Sequence, residues 1–167
     1  MNSKQVVAAV SAVVLVVILV YPAVAVGTVS VSIASTRISK ADHVYVTVDR
    51  VWAHPKGQAS GGGWVIVSNQ SVSADLVSLQ NSSRFVGSGQ IASGDYDAIR
   101  IEVSNVTWVF NKTTTNLGVA SPEIDGTIDF TVGAAKATTI LVTVSSQEEL
   151  IANSEYFTGT LNATVTT

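Results

Sequence analysis

The sequence predicts an all-β fold, an antiparallel β-sandwich of about eight to ten strands in the Ig-like or jelly-roll-like manner. Three observations predict it. Apolar residues alternate with Ser, Thr and charged residues in run after run, the period-2 pattern of a half-buried strand. Clusters of Gly, Asn, Asp and Ser punctuate those runs at short intervals. Residues 94–110 read as one long strand whose phase slips: Ile99, Ile101 and Val103 share one face, and Val106, Trp108 and Phe110 fall on the other. An extra residue near Ser104 and Asn105 marks a bulge or bend that lets one strand serve two sheets or turn a corner.

The elements follow in order. A lysine in residues 1–4 and an apolar run over residues 6–21, broken only by Ser11, have the charged start and apolar body of a secretory signal. Pro22 breaks that run as a helix, and Ala23, Val24 and Ala25 make a small-x-small cleavage site. The chain thus divides into an N-terminal hydrophobic signal, residues 1–25, and a single β-domain, residues 26–167. With residues 23–26 included, the run approaches the roughly 20 needed to cross a bilayer, so an uncleaved anchor helix is the alternative.

Thr28, Val29, Ser30, Val31, Ser32 and Ile33 alternate cleanly just past the cut. An apolar-faced strand at a chain end folds onto its own sheet or onto a neighbour's, which makes these six residues the candidate donor strand. After a polar connection over 35–42, Val44, Val46 and Val48 form a second strand, with a phase change near Asp49 and Arg50 before Val51 and Trp52. Pro55 with Gly57, Gly61, Gly62 and Gly63 makes an open turn region. Residues 64–67 and 74–79 are short extended runs, and 85–91 a strand weakened by Gly87 and Gly89. Beyond Phe110, residues 112–116 read as a hairpin tip or exposed loop, with short extended pieces at 117–119 and 122–126. Ile128, Phe130 and Val132 then pair across a turn with Ile140, Val142 and Val144. Residues 146–151 read as a helical turn, with a Ser cap and carboxylates before apolar residues. The last strand is expected to point Phe157, Gly159, Leu161, Ala163 and Val165 inward and Asn162 outward.

At 167 residues the chain can bury a sizeable core. Charged residues are 13%, about half the usual share, and a net charge of −3 without clustering excludes nucleic acid as a partner. Any membrane contact is expected only through the N-terminal segment, if uncleaved. Cysteine is absent, which excludes disulfides, thiolate metal sites, a cysteine nucleophile and a lipoprotein anchor. Export gives meaning to the tripeptides starting at Asn69, Asn81, Asn105, Asn111 and Asn162, each of the form Asn-x-Ser/Thr. Five of eight asparagines match, where chance in so Ser/Thr-rich a chain gives about two, so covalent N-glycans are expected.

No catalytic residue, cofactor or metal is predicted. His43 and His54 are the only histidines and read as turn or strand-edge residues. Asp95 and Asp97 beside Gly94, like Glu123 and Asp125, match no calcium-loop spacing. There is no Gly-x-Ser-x-Gly elbow for a serine nucleophile. Arg100 and Glu102 share the outer face of the long strand and read as solvation or cross-strand pairing. Flat aromatic rings stack on sugars; Trp108 lies in the core phase, whereas Trp52, near Pro55, and Trp64, beside three glycines, form the candidate glycan platform.

The order of Gly27-Thr28-Val29, Val44 to Val48 leading to Val51 and His54, Gly63-Trp64, Asp75-Leu76, and Gly94-Asp95-Tyr96 running into Ile99-Arg100 resembles the domain of unknown function 4382 family. The resemblance covers nearly all of residues 26–167. It implies an exported β-domain of archaeal or bacterial type with no known active site. The resulting expectation is a non-enzymatic, extracellular structural or adhesive cell-surface protein, a filament subunit that self-associates by donor-strand complementation through residues 28–33. In outline that is similar to archaeal thread and bundling-pilus subunits, and an archaeal source fits the acceptor sites without cysteine. The alternatives are a monomeric carbohydrate-binding module using Trp64 or Trp52, and a type IV-like pilin that keeps its apolar helix.

Overall fold

The computed structural model describes residues 25–38, 40–59, 61–146 and 156–166. The signal or anchor helix expected over 1–25 lies outside them apart from Ala25, and so does the helical turn expected over 146–151 apart from Ser146, which ends a strand. The described residues form eleven strands and no α-helix. In chain order these are β1 (Val26–Ser35), β2 (His43–Pro55), β3 (Val65–Ser68), β4 (Val72–Asp75), β5 (Arg84–Ala92), β6 (Gly94–Phe110), β7 (Thr113–Val119), β8 (Glu123–Val132), β9 (Ala137–Ser146), β10 (Tyr156–Phe157) and β11 (Gly159–Thr166).

They make two sheets. One has the order β11-β9-β1-β5, and the other β10-β7-β6-β2-β3, with β4 also on β2 and β8 also on β6. Both sheets are mixed: β1 runs parallel to β9, and β10 parallel to β7. The expectation of a wholly antiparallel body is therefore corrected. The cause lies in β1, which enters the middle of its sheet between two strands of opposite direction. Antiparallel to β5, it must run parallel to β9.

The long β2/β6 pair is the frame of the second sheet, and each strand serves two neighbours. β6 holds β8 along residues 94–102 and β7 along 106–110, while β2 holds β4 along 45–48 and β3 along 51–53. The two phase changes read in the sequence meet at one place. Thr47 pairs with Asn105, Val48 with Val103 and Arg50 with Glu102, which leaves Asp49 and Ser104 as the extra residues. The Asp49 carboxylate accepts from Ser71 Oγ at 2.6 Å, and hydrogen bonds from Ser71 and then Ser104 hold it below its ordinary pKa.

Inner-face residues of both sheets form one hydrophobic cluster. Val29, Val31 and Ile33 come from β1, Val44, Val46 and Val48 from β2, Ile99, Ile101 and Val103 from β6, and Ile140, Val142 and Val144 from β9. Trp108 packs against this cluster and stacks on Phe110 at 5.7 Å, consistent with its phase. Where β5 and β3 approach, a side chain at Gly89 would stand 2.0 Å from the Val67 carbonyl oxygen. Gly87 and Gly89 are thus read better as points of close approach than as weak points of a strand.

Other boundaries also shift. The run 74–79 splits into the end of β4 and a 3₁₀ turn, Ser78–Asn81, because Asp75 Oδ1 accepts from the backbone N–H of Val44 and of Val77 and turns the chain. Leu76 and Leu79 are both buried there. The loop expected over 112–116 shrinks to Asn111 and Lys112, both at positive φ, the two-residue geometry of a tight hairpin; the threonines that follow belong to β7.

Candidate binding site

Three of the short strings singled out in the sequence converge on the outer face of the second sheet. His54 is the last residue but one of β2, Trp64 immediately precedes β3, and Arg100 lies on β6. The loop between β2 and β3 folds back over the sheet, helped by Gly57 and Gly63, whose φ values of 85° and 79° suit residues without a Cβ.

The His54 ring holds this loop. Its side chain is only 6% exposed; Nδ1 lies 2.7 Å from Asp97 Oδ1, and Nε2 lies 3.2 Å and 3.1 Å from the carbonyl oxygens of Ala59 and Gly62. Both ring nitrogens face acceptors. A neutral imidazole has a single N–H and would set a lone pair against an oxygen, whereas the imidazolium donates on both sides. The hydrogen bond to Asp97 accordingly raises the His54 pKa, against the desolvation of burial and with help from the two carbonyls.

The sign of the pH effect follows. The folded value stands above the unfolded value of about 6.5, so this stabilisation is complete below that pH and is lost as pH rises through the folded value. Asp49, with its lowered value, contributes a constant amount over the same range. The charged groups around His54 are Asp97, Asp125 across the cavity and Arg100 beyond the Trp64 ring. The thermal unfolding midpoint is expected to fall by a few degrees between pH 6 and pH 9, and His54→Gln is expected to flatten that slope. A slope unchanged by His54→Gln contradicts the assignment.

Arg100 organises the other wall. Its Nε and Nη2 donate to Asp125 at 2.6 Å and 2.9 Å in a bidentate pair, and Nη1 donates to Glu123. The guanidinium carbon stands 4.1 Å from the Trp64 ring centroid, a cation–π contact, while the His54 ring meets the same indole at 5.0 Å and 58°. Of the two readings of Arg100 and Glu102, cross-strand pairing is the one observed: Arg100 pairs with Asp125 and Glu123 of β8, and Glu102 with Arg50 of β2 at 3.2 Å. Between these walls lies a cavity of about 340 Å³ lined by His54, Gln58, Trp64, Asp97, Asp125 and Thr127.

The remaining candidates are dispersed. Trp52 is half-buried between Arg100 and Ile66 in the ladder and does not line the cavity, whereas Trp64 does. The indole N–H groups of Trp52 and Trp64 are buried without a hydrogen-bond partner among the described residues. Asp95 accepts from Thr131 at 2.6 Å while Asp97 holds His54, and no group of three His, Asp or Glu among the described residues could hold a metal ion. His43 lies on the surface, 2.9 Å from Asp75. Asn69, Asn81, Asn105, Asn111 and Asn162 are all exposed: Asn69 between β3 and β4, Asn81 at the end of the 3₁₀ turn, Asn105 beside the extra residue of β6, Asn111 in the hairpin and Asn162 on β11. Val165 on β11, expected inward, is exposed as well because the strand's far end runs past the core. Residues 28–33 lie within β1, with Val29, Val31 and Ile33 at 0–1% exposure. The convergence of His54, Trp64 and Arg100 is not among the expectations from the sequence; the available signal was that His54 and Trp64 flank the glycine-rich turn, whereas Arg100 lies in mid-strand.

A family model described as Domain of unknown function (DUF4382) matches residues 26–160. Among solved structures, a leucine-rich repeat protein from Bacteroides thetaiotaomicron is similar over 71% of this chain at 14% identity and a TM-score of 0.28; the match spans 13% of that protein's length. No curated protein matches.

Proposed function

The chain belongs to the DUF4382 family, and from that premise we propose that it is an exported, non-enzymatic structural subunit of the cell surface, whose first strand joins one copy to the next. Residues 1–25 act as a secretory leader, the two-sheet body is a β-sandwich, and the five exposed asparagines carry glycans.

One observation carries this reading. β1 is the first strand of the body, yet it sits inside a sheet, with ladder bonds to β5 on one side and β9 on the other and its apolar face in the core. A single connection, residues 36–42, joins it to β2 in the other sheet. If β1 is withdrawn, a groove opens whose walls are two strand edges and whose floor is apolar, and the same strand from a second copy fits that groove residue for residue. Passed from copy to copy in one direction, the exchange is heterologous and builds an open chain.

The absence of cysteine makes a direct test simple. Ser30 on β1 and Ser88 on β5 are cross-strand partners, with side chains directed away from the core. Ser30→Cys and Ser88→Cys variants, separately tagged, are mixed, allowed to assemble and then oxidised. Strand exchange predicts a covalent dimer containing one copy of each variant, enriched in the assembled fraction. Assembly without that mixed disulfide excludes exchange through β1.

A further inference from the structure

We infer that the cavity beside Trp64 is a binding subsite for a neutral saccharide unit. Its volume of about 340 Å³ lies at the small end of the range for small-molecule sites, roughly 300–1,000 Å³, and suits a ligand of sugar size. Trp64 contributes carbon surface: its N–H is buried, Arg100 stands over the ring and His54 meets it at a tilt, and the rest of the half-buried indole lines the cavity. The C–H face of a pyranose ring is the complement of such a surface. Around it the walls bring a carboxamide from Gln58, carboxylates from Asp97 and Asp125, and a hydroxyl from Thr127. These are the acceptors and donors that a ring of hydroxyl groups uses.

The charge at the site selects within that class. The cation of His54 is directed at Asp97 and two carbonyls, and that of Arg100 at Asp125 and Glu123. Among the described residues no unengaged cation lines the cavity, and its two carboxylates, Asp97 and Asp125, are those that His54 and Arg100 already engage. An anionic sugar would give up its hydration with no free cation to pair with, a cost that a neutral one avoids. The walls are also fixed before any ligand arrives: His54 ties the 57–63 loop to β6, and Arg100 ties the indole to β8, so little order remains to be imposed by binding.

The subsite lies on the second sheet, away from β1, so it stands or falls separately from strand exchange. The test is an array of neutral oligosaccharides with hexose and N-acetylhexosamine termini, printed beside uronic, sialylated and sulfated ones, and probed with the folded domain. Binding is expected on neutral members and absent on anionic ones. Trp64→Ala is expected to weaken it about tenfold. Because Trp64→Ala also removes packing, Thr127→Lys serves as the second variant; it closes the cavity mouth from an exposed strand position, and is expected to abolish binding with an unchanged unfolding midpoint. No binding to any neutral member, binding to anionic members instead, or binding that Thr127→Lys leaves intact would overturn the inference.

Discussion

Gly89→Ala destabilises the fold by about 3 kcal/mol, toward the upper end of what overpacking a well-packed site costs. The reason is where the two sheets approach. β5 is the edge of one sheet and β3 the edge of the other, and they meet along Gly87 and Gly89. A methyl group at Gly89 would stand 2.0 Å from the carbonyl oxygen of Val67, and one at Gly87 would stand 2.2 Å and 2.4 Å from Oγ and Cβ of Ser68. The obstacle at Gly89 is main chain, which cannot swing aside as a side chain can, so β3 must move away from β5 and open the core beneath Val67 and Val86. Gly61→Ala is the control. A methyl group there meets nothing within 4 Å, and its effect should stay within about 0.5 kcal/mol. Urea unfolding of the two variants checks the comparison; equal midpoints would mean that the sheets do not approach as closely as described.

The same positions show what can be read from sequence and what cannot. Alternation located nearly every strand, because a half-buried sheet imposes a period of two on whatever chain forms it. The slips at Asp49 and Ser104 were legible for the same reason, since an inserted residue inverts the phase after it. That the two slips face each other was not legible, because it depends on which strands pair. Gly87 and Gly89 looked like weaknesses for a related reason: glycine has no side chain to show what lies above it, and the neighbour, β3, is a separate segment of chain. The direction of β1 relative to β9 could not be read either. It is decided by the position at which β1 enters the sheet, and periodicity carries no information about order or direction.

The candidate site was less legible still. Trp64 stood out as an aromatic residue beside three glycines, but His54 and Arg100 appeared as an edge histidine and a surface cation. Burial changes both. His54 became a loop clamp once Asp97 and two carbonyls were placed around its ring, and Arg100 became a wall once β8 brought Asp125 and Glu123 beside it. Neither contact is local in sequence, apart from the loop carbonyls that follow His54. Asp75 belongs with them: its carboxylate ends β4 through the backbone of Val44, some thirty residues earlier.

Removing β1 is the largest change the account contemplates. A body lacking residues 26–35 loses the burial of Val29, Val31 and Ile33, roughly 5–9 kcal/mol at about 1.5–3 kcal/mol for each side chain. It also loses the ladders to β5 and β9 and uncovers two strand edges. Against a typical total stability of about 5–15 kcal/mol, that loss leaves little or no folded population. If the groove recognises β1 as a strand, it should accept one that is not covalently attached. The decisive measurement is therefore the cooperative unfolding of the truncated body with and without an excess of the peptide VGTVSVSIAS. The truncated body is expected to show no folded state alone and a cooperative transition once the peptide is added; unfolding at the same midpoint in both samples would rule out recognition of β1 by the groove.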